Sequence, residues 1–373
     1  MISVENEIVT SAKSLRSRLH AIPELSGEEI LTAEVLAAYA RENGADEVIT
    51  QLADRSLAVI INGKSNGKTL MLRCDIDAIP SGSSAAHLCG HDGHSAVMAG
   101  LIPFLKIHPP MAGRVILLFQ AAEETGQGAK ALLNDTHFLS MKPDFIIGMH
   151  NLPGFEKNSI VFKNNEFAMA SNGVLARLLG KKCHAAEPEK GINPAAAVAD
   201  FIGELQRMNE SVNTEANFQF ATITHIRVGE TTFGTAAADA EIWITLRAST
   251  DRALFAMNKT LAEKLFFVSE KYGLGSEISV SDCFPATINH QECVTIIENA
   301  VSTTGLQINR LQLPFRWSED FGHYSALAKS AMFGLGSGID HTPLHMAGYE
   351  FPDEIIASGI EAFAAIIKQV NGL

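Results

Sequence analysis

The residues best suited to chemistry lie in the run His87-Leu-Cys-Gly-His-Asp-Gly-His94. Cys89 and His91 offer a thiolate and an imidazole, the donors favoured by zinc and related first-row ions. A bound metal lowers a thiol's pKa, and a thiolate can bridge two ions about 3.5–4 Å apart. Cys89 is therefore the candidate bridge. Further along stand Glu123-Glu124 and His150. One carboxylate could hold a metal, while the other takes a proton from water and passes it to a leaving nitrogen. Spacing does not decide which does which. Asp75 and Asp77 are candidates for contacting substrate or orienting a ligand. Each residue also has a plainer reading. Adjacent glutamates are commonly a solvated loop pair, a lone histidine is commonly a hydrogen-bonded structural group, and His94, one helical turn beyond His91, reads as structural. Convergence argues for a site.

Convergence requires elements that deliver these residues to one place. Leu57–Ile61, Leu70–Arg73, Arg114–Phe119 and Asp144–Met149 read as short apolar strands. Helices are expected from the capping box Ser26-Gly-Glu-Glu29 to about Asn43, from near Asp92 to Pro109, and over Gln127–Leu133. Such alternation predicts a mostly parallel sheet with helices on both faces. Asp75 and Asp77, Glu123 and Glu124, and His150 each follow a predicted strand, at the end where open α/β sheets bind ligands. After Ala168 the pattern changes. Longer strands at Val174–Leu179, Phe218–Val228 and Ala240–Arg247, with helices near Pro194–Met208 and Arg252–Lys271, predict a smaller α+β domain with an antiparallel sheet. The α/β pattern returns from Cys283. The expected division is 1–168 and 282–373 for a catalytic domain, interrupted by an inserted domain at 169–281.

The chain has 373 residues, 46% hydrophobic and 19% charged, which suits a globular protein of about two to three domains. Its net charge of −13 carries no basic stripe, which argues against nucleic acid as a partner. Five scattered cysteines do not form a disulfide framework. With no basic-then-apolar leader and no run of roughly 20 apolar residues, neither a signal peptide nor a membrane span is expected, and the cytoplasm is the expected location. The turn Gly63…Gly67-Lys68-Thr69 has the wrong spacing for a phosphate loop and precedes a strand. Gly336-Ser-Gly338 is not a serine-hydrolase elbow.

Taken together, the motifs resemble those of the metal-dependent amidohydrolases that include hippurate hydrolases, auxin-conjugate hydrolases and N-acyl-amino-acid deacetylases, within the aminoacylase and carboxypeptidase-G-like group. The resemblance runs through Leu19-His-Ala-Ile-Pro-Glu-Leu-Ser-Gly-Glu-Glu29, Arg73-Cys-Asp-Ile-Asp-Ala-Ile-Pro80, Cys89-Gly-His-Asp-Gly-His-Ser-Ala96, Phe119-Gln-Ala-Ala-Glu-Glu124, Gly148-Met-His150, His184-Ala-Ala-Glu-Pro188, Ser318-Glu-Asp-Phe321 and Leu344-His345. It implies two divalent ions per subunit (zinc, manganese, nickel or cobalt) held by Cys89, His91, Glu124, His150 and His345. Cys89 would lie between them, with His91 and His150 on one ion and Glu124 and His345 on the other. It implies Glu123 as general base toward metal-activated water, and His184 as a group polarising the substrate carbonyl in its own or a partner's site. Arg247 would recognise a substrate carboxylate.

The inserted domain would be a dimerisation or lid domain of a homodimer. The implied reaction is hydrolysis of a small N-acyl amino acid, with a metallo-dipeptidase or carboxypeptidase as the alternative and a non-catalytic metal-dependent binding protein as the more distant one. Two departures bear on substrate. Ser81–Ala86 is shorter than this loop in relatives by roughly a dozen residues, and Gly229–Ala236 lacks their asparagine and proline.

Overall fold

The computed structural model describes residues 4–210 and 218–373. The chain forms two compact units, Met1–Phe167 with Thr287–Gln312 and Glu319–Leu373, and Ala168–Ala286 with Leu313–Ser318. It opens with helices α1 (Asn6–His20) and α2 (Ile30–Glu42), then strands β1 (Glu47–Leu52), β2 (Ser56–Asn62) and β3 (Thr69–Asp75). Helix α3 (His91–Ile107), β4 (Arg114–Gln120), β5 (Phe145–Pro153) and β6 (Ile160–Phe162) follow. The second unit contributes β7 (Ala170–Leu179), α4 (Ala195–Glu210), β8 (Gln219–Val228), β9 (Asp239–Ala248), α5 (Asp251–Tyr272) and β10 (Gly275–Phe284). The chain then returns through α6 (Gln291–Val301), β11 (Ile308–Arg310), β12 (Lys329–Gly338) and α7 (Ile356–Asn371).

The first unit is built on an eight-stranded sheet of order β1-β2-β4-β3-β5-β12-β6-β11. Its central pairs, β4 with β3, β3 with β5 and β5 with β12, are parallel. The β1–β2–β4 edge is antiparallel. Near-continuous Val, Ile and Leu runs suit strands covered on both faces. Leu70, Leu72 and Cys74 of β3 join one core with Leu15, Val97, Ile297 and Phe363 from the long helices. Because alternate side chains of a strand point oppositely, Met71 and Arg73 face the other side, where Gln120, Asp320 and Tyr324 enclose Arg73. The second unit holds a four-stranded antiparallel sheet, β8-β9-β7-β10. A separate core joins its strands to α4 and α5 through Val174, Ile242, Phe201 and Leu265.

Several local expectations change. Ser26 does not cap α2: its hydroxyl donates to Asp77 Oδ2 at 2.7 Å. Glu24 takes the role, accepting from the amides of Leu31 and Thr32 at 3.1 and 2.8 Å. A carboxylate at a helix N-terminus meets both unpaired amides and the helix dipole, and Ser26 is drawn away by a charged acceptor. Helix α1, with Ile8, Ala12, Leu15 and Leu19 buried at helical spacing, was not anticipated. Strand β10 runs to Phe284, beyond the expected return at Cys283, and Leu313–Ser318 joins the second unit.

The turn into α3 depends on two glycines. Gly90 caps the helix at φ +91°, and a Cβ there would lie 2.7 Å from Tyr349 Oη and 2.8 Å from Asn151 Oδ1. A Cβ on Gly93 would lie 2.1–2.3 Å from ring carbons of buried Phe351. Gly93→Ala is accordingly expected to lower stability by about 1–3 kcal/mol, the usual scale of overpacking. Urea denaturation followed by circular dichroism measures this, and an unchanged midpoint would show that the ring shifts freely.

Candidate metal centre

Gly90 sets the first two donors. Its left-handed backbone ends the preceding loop at Cys89 and starts α3 at His91, with the amides of Gly93 and His94 donating to its carbonyl at 2.9 and 3.0 Å. His91 Nδ1 meets the Asp77 carbonyl at 2.9 Å and Asp77 Oδ1 at 3.1 Å, which leaves Nε2 as the lone-pair nitrogen. His150 lies within β5 rather than beyond its strand, and its Nδ1 donates to the Asn151 carbonyl at 2.8 Å. Its Nε2 faces Cys89 Sγ at 3.6 Å. His345, from the loop after β12, has φ +64° and anchors its amide on the Leu88 carbonyl at 2.8 Å. Its Nε2 stands 3.4 Å from Glu124 Oε1.

The donor atoms of Cys89, His91 and His150 lie within 4.8 Å of one another, as do those of Cys89, Glu124 and His345. Cys89 belongs to both groups. The separations are too long for strong hydrogen bonds: 3.6 Å for Cys89–His150, 3.4 Å for His345–Glu124 and 3.7 Å for His91–Glu124. The first two match the edges of a coordination shell, because a tetrahedral ion with zinc-like bond lengths separates its ligand atoms by roughly 3.3–3.6 Å. His91 Nε2 and Glu124 Oε1 are buried without hydrogen-bond partners. Buried donor atoms left without partners this close together fit a site that holds cations. Asp75, His91 and His94 also cluster, but His94 is committed at both nitrogens, to Asp75 Oδ1 at 2.5 Å and to Asn151 Oδ1.

The two aspartates orient other groups. Asp77 holds His91 and also accepts from the Glu124 amide at 2.9 Å. Asp75 joins His94 to Arg73, whose Nη1 donates to Asp75 Oδ2 at 2.7 Å. Glu123 is buried and accepts from the Asp320 amide at 3.3 Å. His184 and Arg247 belong to the second unit. His184 sits in a two-residue strand paired with Thr235–Ala236, exposed, with its Nδ1 accepting from the Ala186 amide at 3.0 Å. Arg247, in β9, donates to the Arg316 carbonyl at 3.1 Å and to Ser318 Oγ at 2.9 Å.

Residue reasoning missed the polar cluster beneath the site. Arg73 is fully buried and bridges Asp75, Gln120 and Asp320, with Glu319 Oε2 at 3.6 Å. A charged residue inside an apolar strand was the available signal. Glu319 brings Oε1 within 3.5 Å of His150 Nε2. Asp92 serves structure: it accepts from Arg16 and His20 of α1 at 3.1 and 2.8 Å.

The electrostatics are dominated by crowded carboxyls. Burial, with Glu319 and Glu124 alongside, pushes Glu123 well above the usual carboxylate range. Burial also raises Glu319 to about 8 against the pull of Arg73. Burial and the surrounding glutamates raise the Cys89 thiol. His91 rises to about 10 although burial opposes its charge, because Asp75, Asp77 and Glu124 surround it. The field that attracts a proton to His91 attracts a divalent cation more strongly.

With this geometry in hand, the chain can be set beside known proteins. Residues 71–369 match the model of peptidase family M20/M25/M40, and the chain belongs to that family. It is 25% identical to a hippurate hydrolase of Campylobacter jejuni, over 95% of each chain. It is 27% identical to an N-acetyl-L-cysteine deacetylase of Bacillus subtilis, over 89% of this chain and 82% of that one. Among solved structures, a dinuclear metal-binding peptidase of the M20 family from Bacillus subtilis superposes with a TM-score of 0.82 at 22% identity, covering 97% of this chain and 98% of the other.

Metal affinity should depend steeply on pH. Cys89 and His91 both have raised pKa values, and each must release its proton to bind an ion. The apparent association constant should therefore rise by about ten- to a hundredfold per pH unit between pH 6 and 8. Chelator-competition titration measures it, and a pH-independent constant would remove these two residues from the ligand set.

Proposed function

We propose that this protein hydrolyses the amide bond of small N-acyl amino acids, releasing an amine and a carboxylic acid, with Glu123 as the proton-transfer group. The observation that carries the reading is the placement of Glu123 in one donor cluster with His91 and Glu124, within 4.8 Å. On this reading the residues holding two divalent ions are Cys89, His91, Glu124, His150 and His345, with Cys89 common to both. When bound, such ions make water nucleophilic at neutral pH and polarise the amide carbonyl.

Glu123 accepts the proton of the attacking water and delivers it to the leaving nitrogen. Its raised proton affinity suits taking the proton from water, and cations held beside it would keep it ionised at neutral pH until it does so. Asp77 fixes His91, and the Asp320 amide fixes the Glu123 carboxylate. We assign His184 to polarising the substrate carbonyl and Arg247 to the substrate carboxylate, whose planar form a guanidinium matches. Zinc, manganese, nickel and cobalt are all compatible with a thiolate, imidazole and carboxylate donor set.

The names of the relatives, a hippurate hydrolase and an acetylcysteine deacetylase, favour deacylation. The family's peptidases make a dipeptidase or carboxypeptidase the second reading, distinguished by a free α-amine on the preferred substrate. We further propose that the first unit is the catalytic domain and that the second, Ala168–Ala286 with Leu313–Ser318, mediates a homodimer in the cytoplasm. Strands β8 and β10 are the outer strands of their sheet, and an outer strand can pair with a second copy. No helix of the described residues is long and apolar enough to cross a membrane.

Glu123→Gln keeps the shape of the side chain and removes its basicity. It should lower kcat by about 10²–10⁴-fold while metal content, measured by plasma mass spectrometry, stays at the wild-type ratio. Near-wild-type hydrolysis of a panel of N-acyl amino acids by this variant would refute the assigned base.

A further inference from the structure

The reacting carboxylates sit on a turn, and the turn is held from outside. Residues 121–124 follow β4, and three side chains from other elements secure their amides. Ser56 Oγ accepts from Ala121 at 3.0 Å, Glu29 Oε1 from Ala122 at 2.7 Å, and Asp77 Oδ2 from Glu124 at 2.9 Å. Ala122 has φ +54°, a left-handed conformation that a residue with a Cβ adopts at a cost. Its carbonyl accepts from the amides of Gln127 and Gly128 at 3.3 and 2.9 Å. The peptide groups on either side of Ala122 Cα therefore point in directions set by Glu29 on one side and by the start of the next helix on the other. Glu123 is the next residue.

Glu29 is an unusual choice for a structural anchor. It lies at the N-terminus of α2 and is fully buried, yet its Oε2 has no hydrogen-bond partner. Burial raises its carboxyl to about 7, with backbone amides including that of Ala122 opposing the rise. A buried carboxyl with one oxygen left without a partner is costly to keep, and besides its own backbone and that of Gly27 it reaches the amide of Ala122, on the turn bearing Glu123 and Glu124.

We propose that Glu29 is a positioning residue for the proton-transfer step, holding the Ala122 amide so that the left-handed turn aims the Glu123 carboxylate. It touches no reacting atom and acts through the backbone. What the turn requires is an acceptor oxygen at the right reach. Glutamine, with the same length and a carbonyl oxygen, serves as well as glutamate. Aspartate, one methylene shorter, retains the charge and withdraws the oxygen.

The kinetic arm of the test rests on the proposed hydrolysis, and the exchange arm does not. Glu29→Gln, Glu29→Asp and Glu29→Ala are compared in the full-length, metal-reconstituted protein. The readouts are kcat and KM on N-acyl amino acids, metal stoichiometry, and hydrogen exchange of the peptide spanning 119–126. The expected result is a kcat loss of about 10–100-fold in the aspartate and alanine variants, the scale of an ångström-level misplacement, with KM within about threefold and metal content unchanged. The same two variants should exchange the 121–124 amides faster, and glutamine should restore both rate and protection. Equal losses in the glutamine and aspartate variants would overturn the proposal, because an acceptor oxygen at the right reach would then not suffice. So would wild-type exchange in the aspartate variant, a readout available even where the alanine variant does not fold. Absence of hydrolysis in the wild-type protein, with exchange following the expected order, would sink the functional reading and leave the anchoring intact.

Discussion

The structure turns on the compensation of buried negative charge at one end of a sheet. Asp75, Asp77, Glu123, Glu124, Glu319 and Asp320 gather there, and the fully buried guanidinium of Arg73 meets three of them, Asp75, Glu319 and Asp320. Its charge persists despite burial because Asp75, Asp320 and Glu319 surround it. One guanidinium cannot neutralise six carboxyls. The surplus appears as raised carboxyls at Glu123 and Glu319 and a raised imidazole at His91. Buried charges of one sign are stable only when paired, protonated or coordinated to a cation. Coordination is the one of these that leaves Glu123 free to accept a proton near neutral pH.

That constraint links scaffold to site. Parallel strands β3, β4 and β5 bring their carboxyl ends to a common edge, as open α/β sheets do around ligands. The charge there would open the edge to water without a dense framework below. Arg73, Gln120, Asp320 and Tyr324 provide it: Gln120 Nε2 donates to both Asp320 oxygens at 2.9 and 2.7 Å, and Tyr324 Oη donates to Gln120 Oε1 at 2.6 Å. Asp320 in turn presents its amide to Glu123. The network makes a buried ion pair part of an orienting device: Asp320, which Arg73 pairs with, also holds the Glu123 carboxylate through its amide.

Much of this was legible in the sequence. The apolar runs of β2 through β5 have a composition that allows little else than covered strands, and the residues that follow them specify the site by type. Cys89, His91, Glu123 and Glu124 could be chosen on chemistry alone. His345 could not, since it lies in a loop with no helical or strand period and meets Glu124 only through the fold. Its place came from likeness to a family. Glu319 and Asp320 were equally opaque, because their partners lie far away in the chain: Arg73 and His150 for Glu319, Arg73 and Gln120 for Asp320. Helix α1 was overlooked although its buried positions keep helical spacing, and Ser26 misled because its capping pattern is real but a charged acceptor, Asp77, competes for its hydroxyl. Local rules failed where long-range polar contacts were stronger.

The account stands or falls on where cations bind. Anomalous diffraction from crystals of the protein reconstituted with zinc or manganese locates them directly. Two peaks are predicted, one at coordination distance from Cys89, His91 and His150 and the other from Cys89, Glu124 and His345, with the sulfur shared. A peak at Asp75, His91 and His94, or no peak among these residues at saturating metal, would contradict it.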